Sequence, residues 1–361
     1  MTNSEKICSE LGKLYFFKEL EKSDLVYKNK EDNQEKELAD IILRVGNYIF
    51  TIQIKEMNDT SKDIQKWLNK KVYKIAKNQT KETCKEIFDD ITFKNDENKN
   101  ILENIDKCTI IPIIIFDIKE KEVQYQKIYE TKDGKLLIHI FELKDFKNLC
   151  EKLISPMEIV RYVDERKNYV KQPMIILEKE GQVIIAKTES ENAMLEIYYK
   201  KYDLNKIELT KLLKFNVYLT LFEEHCINNK EYYKIMIKKM SQFYAGKIDC
   251  FIDRLDLIIE KSFKDEWYYN SYIIDSQQCV LFMSTPRDKL DIDYINFISN
   301  LFMNKFKIKN VLTIISHAIT NDNYGLDFAL VDYNDINAQI YEDALNKDYS
   351  KLWNTRLNRR C

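Results

Sequence analysis

The sequence contains few of the residues from which common metal and nucleotide sites are built. Only three histidines occur among 361 residues, and the eight cysteines are scattered without a CxxC pair. These counts disfavour a zinc site. The whole chain contains six glycines and four prolines. Residues 156–361 show neither a phosphate-binding glycine loop nor a nucleophile elbow. Functions that depend on those motifs are therefore not indicated.

A long apolar run and a strong net charge are also missing. The longest apolar run, at residues 109–116, is much shorter than the roughly 20 residues that span a bilayer, and it predicts a buried strand. The formal net charge is -2 and the pI is about 6.1, so a nucleic-acid surface would have to be a local basic patch. The 32% charged fraction, the scattered thiols and the lack of a leader pattern predict a soluble cytoplasmic protein without a membrane partner.

Residues 38–55 have the pattern of a two-stranded β-hairpin. The pair Gly46–Asn47 interrupts an apolar run and can supply the positive φ angles of a two-residue turn. A turn at this pair sets the register, and counting outward from it places Asp40 opposite Gln53. Because side chains alternate along a strand with period two, Lys55 shares a face with Gln53.

The same register makes the other face of the hairpin wholly apolar, with Ile41 opposite Ile52 and Leu43 opposite Phe50. Two interpretations of the polar face remain open. It can be the solvated side of an amphipathic edge hairpin, which is the commonest outcome of such alternation. It can also be a functional site, because opposed residues have Cβ atoms roughly 5 Å apart and would bring a carboxylate, an amide oxygen and an ammonium together.

In these residues and in the order of its elements, the N-terminal part of the chain resembles the PD-(D/E)XK nuclease superfamily. The core of that superfamily is a helix, then a hairpin that bears Asp and Glu-X-Lys, then a second helix over the sheet. The matching residues here are Asp40 and Gln53-Ile54-Lys55, with Gln53 where the family usually has Glu, a recognised minority variant. The resemblance implies a restriction-endonuclease-like α/β (α+β) core with a central mixed sheet flanked by helices.

The resemblance also implies a reaction, the hydrolysis of phosphodiester bonds in DNA, with RNA left open, and a role in restriction or defence. Asp40, the Gln53 side-chain oxygen and the Ile54 backbone carbonyl are hard oxygen ligands suited to Mg²⁺ or Mn²⁺. Lys55 would position the attacking water or help to deprotonate it. Because Gln53 lacks a negative charge, weak metal affinity is expected. A non-catalytic nucleic-acid-binding or protein-assembly factor on a degenerate nuclease scaffold therefore stays open.

The helix before the hairpin is predicted from an apolar stripe of Ile7, Leu11, Leu14 and Phe17. Glu10 lies inside that stripe and is expected to point toward the sheet, where it would match the family's helix glutamate. In that position it could hold a second ion or orient the first. The alternative is a boundary acid whose side chain reaches water.

The helix after the hairpin is expected to begin near Thr60 and Ser61, whose hydroxyls can cap it. Its inward side is predicted to carry Ile64, Leu68, Val72, Ile75 and Gln79. Its basic side carries a ladder of lysines that could follow a phosphate backbone, namely Lys66, Lys70, Lys74, Lys77 and Lys81. The alternative is a solvated lysine face. Gln79 is also a candidate for nucleic-acid contact, and its side chain would either touch the site or satisfy the end of the helix.

The length of the chain predicts two domains. The nuclease-like domain is expected to span residues 1–155, and Pro156 marks the boundary to a mixed α/β domain at residues 156–361. The second domain is compatible with target recognition, dimerisation or sensing, so a homodimer is an open expectation. A module that binds only other proteins is a third interpretation of the whole chain.

Overall fold

The structure is a computed structural model in which the chain divides into two compact units. One comprises Met1–Ile207 with Met240–Ala245, and the other comprises Glu208–Lys239 with Gly246–Cys361. The described residues are 1–16, 21–23, 25–28, 34–58, 63–88, 92–93, 102, 104–119, 123–172, 174–179, 182–204, 207–225, 230–273, 278–286, 291–332 and 341–344. No helix within these ranges is long and apolar enough to cross a membrane.

The first unit alternates helices and strands. In chain order they are α1 (Asn3–Phe16), β1 (Glu21–Ser23), β2 (Val26–Lys28), β3 (Glu35–Glu37), β4 (Ile41–Val45), β5 (Tyr48–Glu56), α2 (Ile64–Trp67), a π-helical stretch (Leu68–Ala76), α3 (Lys77–Glu86), β6 (Thr92–Phe93), a 3-10 turn (Ile105–Lys107), β7 (Thr109–Asp117), β8 (Ile128–Glu130), β9 (Leu137–Glu142), α4 (Leu143–Leu153), α5 (Pro156–Lys171), β10 (Met174–Lys179), β11 (Gln182–Lys187) and α6 (Glu191–Tyr202).

A six-stranded mixed sheet in the order β1-β4-β5-β7-β9-β8 forms the centre of this unit. β7 is parallel to both β5 and β9, and the other pairings are antiparallel. α1 covers one face, where the Phe16 and Phe50 rings lie 5.6 Å apart. The helix that follows the hairpin covers the other face, where Leu68 and Val72 pack with Ile114. The expected α/β fold with a central mixed sheet flanked by helices is therefore confirmed.

The hairpin of β4 and β5 has the predicted register. Ile41 pairs with Ile52, and Gly46 adopts a φ of 56° in the turn. The polar face of the hairpin is buried, since Thr51 is 1% exposed and Gln53 is 4% exposed. The interpretation as a solvated edge hairpin is wrong, because β1 pairs with β4 and β7 pairs with β5, so that neither strand is an edge.

The helix after the hairpin contains a long π-helical stretch between α2 and α3. Bonding from residue i to i+5 takes more residues per turn than an α-helix does. The buried positions accordingly recur every four residues, at Leu68, Val72, Ala76 and Thr80. Ile75, which the α-helical count placed on the inward side, is only half-buried.

Asp63 caps the start of this helix, and its side chain accepts a hydrogen bond from Lys66 N at 3.1 Å. A short acceptor at this position satisfies one of the free amides of the first turn. Thr60 and Ser61, the predicted caps, lie outside the described residues.

The predicted domain boundary at Pro156 lies inside the first unit, because α5 and α6 are tied to the sheet. Arg166 of α5 has no exposed surface and pairs with Glu191 of α6 at 2.7 Å. The same guanidinium donates to the Ile140 carbonyl of β9 at 2.9 Å. A buried pair anchored to a strand keeps both helices with the sheet, so the first unit extends to Ile207.

The second unit is also a mixed α/β fold, as expected. Its elements are α7 (Leu209–His225), α8 (Lys230–Met240), α9 (Ala245–Phe263), β12 (Tyr268–Ile273), β13 (Gln278–Thr285), α10 (Ile292–Phe306), β14 (Asn310–Ala318) and β15 (Tyr324–Asp332). The four strands form one sheet in chain order, with β13 parallel to β14 and the other pairs antiparallel. α10 packs on this sheet around the buried side chains of Leu301 and Phe302.

Candidate active site

Asp40, Gln53 and Lys55 meet where β4 begins and β5 ends. Asp40 lies directly before β4, and its Oδ2 accepts a hydrogen bond from Ile54 N at 2.5 Å. Lys55 Nζ lies 4.0 Å from the same oxygen. The Asp40 and Lys55 side chains are 12% and 19% exposed, so solvent screens this ion pair less than it screens a surface pair. The hairpin thus brings the predicted residues together.

Gln53 adds a buried oxygen to this group. The Gln53 Oε1 atom has no hydrogen-bond partner among the described residues. A buried acceptor without a partner costs about 1–3 kcal/mol, so such an atom needs an explanation. Gln53 lines the same cleft as Asp40, and an amide oxygen with a carboxylate fits a hard divalent cation, which prefers oxygen ligands. The donor set therefore fits Mg²⁺ or Mn²⁺. The role of the Ile54 carbonyl as a further ligand stays a prediction.

A cleft of about 280 Å³ opens beside Asp40 and Gln53. Its walls come from the β2–β3 hairpin and from α3, through Tyr27, Lys36, Glu37, Gln79, Glu82 and Thr83. Glu37, Asp40 and Glu82 bring three carboxylates to this lining, and Lys36 brings one ammonium. An acidic lining of this kind attracts cations and repels phosphate when no cation is bound.

Gln79 is exposed instead of lying on the buried side of α3, and it lines the cleft, so its role at the site stays a prediction. α3 is held beside Asp40 by Thr83, whose Oγ1 donates to the Leu38 carbonyl at 2.5 Å.

Glu82, which also lines the cleft, is not identified from the sequence. It follows Gln79 by three residues, and residues three apart share one side of a helix. That spacing was the available signal once Gln79 had been placed near the site.

Glu10 does not join this group. Its side chain is exposed, and the buried side of α1 is formed by other residues, namely Ser4, Cys8, Ser9, Leu11, Gly12, Tyr15 and Phe16. Leu14, which the predicted stripe placed inward, is 52% exposed, and Phe17 lies outside the described residues. The expectation that Glu10 points toward the sheet is wrong, because Ser4, Cys8 and Leu11 take inward positions on α1 and Glu10 lies on its exposed side.

A second pair of carboxylates lies at the carboxyl ends of the parallel strands β5 and β7, where Glu56 pairs in register with Asp117. Ser4 Oγ lies 3.1 Å from Glu56 Oε2 and 3.0 Å from Asp117 Oδ2. Lys119 Nζ lies 3.7 Å from Glu56 Oε1. Glu56 and Asp117 are not identified as a pair from the sequence. Their partners come from α1 and from the residues after β7, so the pair anchors α1 to the sheet.

The lysine ladder has two parts. Lys66, Lys70 and Lys74 are exposed. The Lys77 and Lys81 ammoniums lie 4.3 and 5.1 Å from the centroid of the Tyr129 ring, and Lys81 Nζ lies 3.5 Å from its hydroxyl. Contacts of this kind attract an ammonium to the ring face. The first three lysines therefore remain the better candidates for phosphate contacts.

Within the described ranges, no group of three or more His, Cys, Asp or Glu side chains is arranged to hold a metal ion. A cation in the cleft would therefore combine few carboxylates with neutral oxygens.

No family model, no curated protein and no solved structure matches this chain. The resemblance to the PD-(D/E)XK nucleases accordingly depends on the residues of the hairpin and on the order of the elements around it.

Proposed function

We propose that the chain is an endonuclease that depends on Mg²⁺ or Mn²⁺ and hydrolyses phosphodiester bonds in DNA. The observation that carries the proposal is the buried Gln53 Oε1, for which the described residues provide no partner, beside the Asp40–Lys55 pair. The helix, hairpin and helix around this group support the same assignment, and so does the cleft that opens onto it. A role in restriction or in defence against foreign DNA comes from the family resemblance alone.

Asp40, the Gln53 side-chain oxygen and the Ile54 carbonyl would hold the ion. When bound, the ion makes a water molecule more acidic and offsets negative charge on the phosphate. The Ile54 amide and the Lys55 ammonium keep the Asp40 carboxylate in place. Lys55 would also donate hydrogen bonds that orient the attacking water, and the exposed Lys66 side chain with its neighbours would contact the phosphate backbone.

A non-catalytic nucleic-acid-binding or assembly protein is the second candidate. The neutral Gln53 favours it, and so does the lack of a three-membered metal-holding group in the part of the chain that the structure describes. The acidic lining of the cleft disfavours direct binding of nucleic acid there for both candidates, because phosphate should enter an acidic cleft only with a cation. An enzyme of the proposed kind should therefore bind DNA more tightly when a divalent cation is present.

Cleavage of plasmid DNA, linear DNA and RNA in Mg²⁺ or Mn²⁺ tests the proposal. Asp40→Asn and Lys55→Ala are each expected to lose about 100-fold or more of the activity, since both groups would act in the transition state. Asp133→Asn and Lys135→Ala change the same residue types at an exposed turn, and both variants should cleave like the native protein. If the native protein cleaves neither DNA nor RNA, the second candidate is favoured.

A further inference from the structure

The lining of the cleft includes an acidic residue of α3, in addition to the residues of the β4–β5 hairpin. Glu82 of α3 lines the cleft together with Asp40 and Gln53. Gln79, three residues earlier on the same helix, lines it as well. α3 therefore contributes one carboxylate-bearing and one amide-bearing residue to the lining of the cleft.

The charges of the hairpin alone do not favour a divalent cation. Asp40 contributes one negative charge, the Lys55 ammonium lies 4.0 Å from it, and Gln53 is neutral. The affinity of an oxygen site for a hard cation rises with the number of charged ligands. A stable cation site at this place therefore needs another carboxylate, and one that is not already committed to a partner.

Glu82 is the carboxylate that meets this requirement. Glu37, the other candidate in the lining, is engaged with another residue of the chain. Glu82 is exposed at the cleft, and the described residues offer its carboxylate neither an ion pair nor a hydrogen bond. The hydrogen bond from Thr83 to the Leu38 carbonyl fixes the neighbouring turn of α3 close to Asp40.

Gln53 gives independent evidence that the cleft takes a ligand. Gln53 lines the same cleft and is 4% exposed, and its buried Oε1 has no partner among the described residues. A cation bound in the cleft would satisfy that oxygen, and Glu82 lines the same cleft. Both observations are met by one ion between the hairpin and α3.

We propose that Glu82 supplies the second negative charge of the cation site, in place of the carboxylate that Gln53 lacks, and that Gln79 adds a neutral oxygen donor. This inference rests on the proposed function, because it takes the cleft beside Asp40 as the metal site. The ligand is a hard divalent cation. The site then includes α3, and the cation links that helix to the hairpin.

The test measures the binding of Mn²⁺ alone to the full chain, through loss of the free-ion signal in electron paramagnetic resonance. This readout does not depend on cleavage. Glu82→Gln is expected to weaken binding about tenfold or more, and Asp40→Asn at least as much. Glu86→Gln changes the same residue type one turn further along α3, outside the cleft, and should bind like the native protein.

A second variant keeps the test specific to charge. Gln53→Glu in the Glu82→Gln background should restore Mn²⁺ binding, because it returns a carboxylate to the same ion. If Glu82→Gln binds Mn²⁺ within about twofold of the native protein while Asp40→Asn has lost binding, the role of Glu82 is overturned and the proposed function stands. If the native protein neither binds Mn²⁺ nor cleaves nucleic acid, both proposals fail.

Discussion

The Lys55 ammonium lies 4.0 Å from Asp40 Oδ2, the same oxygen that accepts the Ile54 amide hydrogen. The hairpin therefore carries its own counterion, and its charges are nearly balanced before any ligand binds. A cation at this place must compete with the ammonium. The groups that decide its affinity are then the neutral oxygen of Gln53 and the carboxylates that other elements bring to the cleft.

Gln53→Glu is expected to make the stability of the first unit depend on divalent cations. The new carboxylate would be buried near Asp40, so desolvation and repulsion should lower the unfolding temperature in EDTA. Mn²⁺ should reverse the loss, since an ion that binds only the folded state stabilises it. Thermal unfolding of the native and variant proteins in EDTA and in Mn²⁺ measures the effect. An equal loss in both solutions would contradict the assignment of Gln53 to a cation site.

The triple variant Lys66→Ala, Lys70→Ala and Lys74→Ala is expected to bind DNA more weakly and with a smaller dependence on salt. Each phosphate contact contributes about 0.9 to the slope of log affinity against log salt concentration, so the slope should fall by as much as about 3. Binding titrations at several salt concentrations measure it. Replacement of Lys132 and Lys135, which are exposed at a turn, is the control and should leave the slope unchanged. An unchanged slope in the triple variant would assign these lysines to a solvated face.

Arg166→Met is expected to destabilise the first unit by about 3–5 kcal/mol, because it removes the guanidinium from the buried Glu191 carboxylate and leaves it only the Tyr162 hydroxyl and the more distant Lys127 ammonium. Lys171 lies on the same helix as Arg166, and Lys171→Met breaks an exposed pair with Glu130 of β8, so it should cost less than about 1 kcal/mol. Urea unfolding of both variants measures the difference. Similar small losses in the two variants would show that the buried pair does not hold α5 and α6 to the sheet.

His139→Phe is expected to reduce the loss of stability in acid. Burial, with the nearby Arg166 and Lys167 charges, holds the pKa of His139 well below its ordinary value. Below about pH 6.5 the unfolded chain takes up a proton on this ring and the folded chain does not, so stability falls by up to about 1.4 kcal/mol per pH unit. The variant keeps a ring but cannot titrate. Urea unfolding between about pH 7 and pH 5 should show a shallower decline than in the native protein. Parallel declines would contradict the prediction.

The register of the hairpin could be predicted from the sequence. Its register follows from the positive φ of Gly46 and from the alternation of side chains along each strand, and both are properties of neighbouring residues. The same local rules placed Asp40, Gln53 and Lys55 together. They also identified the apolar run at 109–116 as a buried strand, which β7 confirms.

The tertiary structure alone decided which sides of the helices are buried and how far the first unit extends. Glu10 and Ile75 were assigned inward positions from ideal α-helical spacing, but the packing of α1 on the sheet and the π-helical stretch changed the buried side. The first unit extends past the predicted boundary at Pro156 to Ile207, because Arg166 and Glu191 come from different helices and pair in the core. Glu82 and Asp40, which are also distant in sequence, line one cleft for the same reason. Contacts between distant segments depend on the packing of whole elements, and no local pattern in the chain records them.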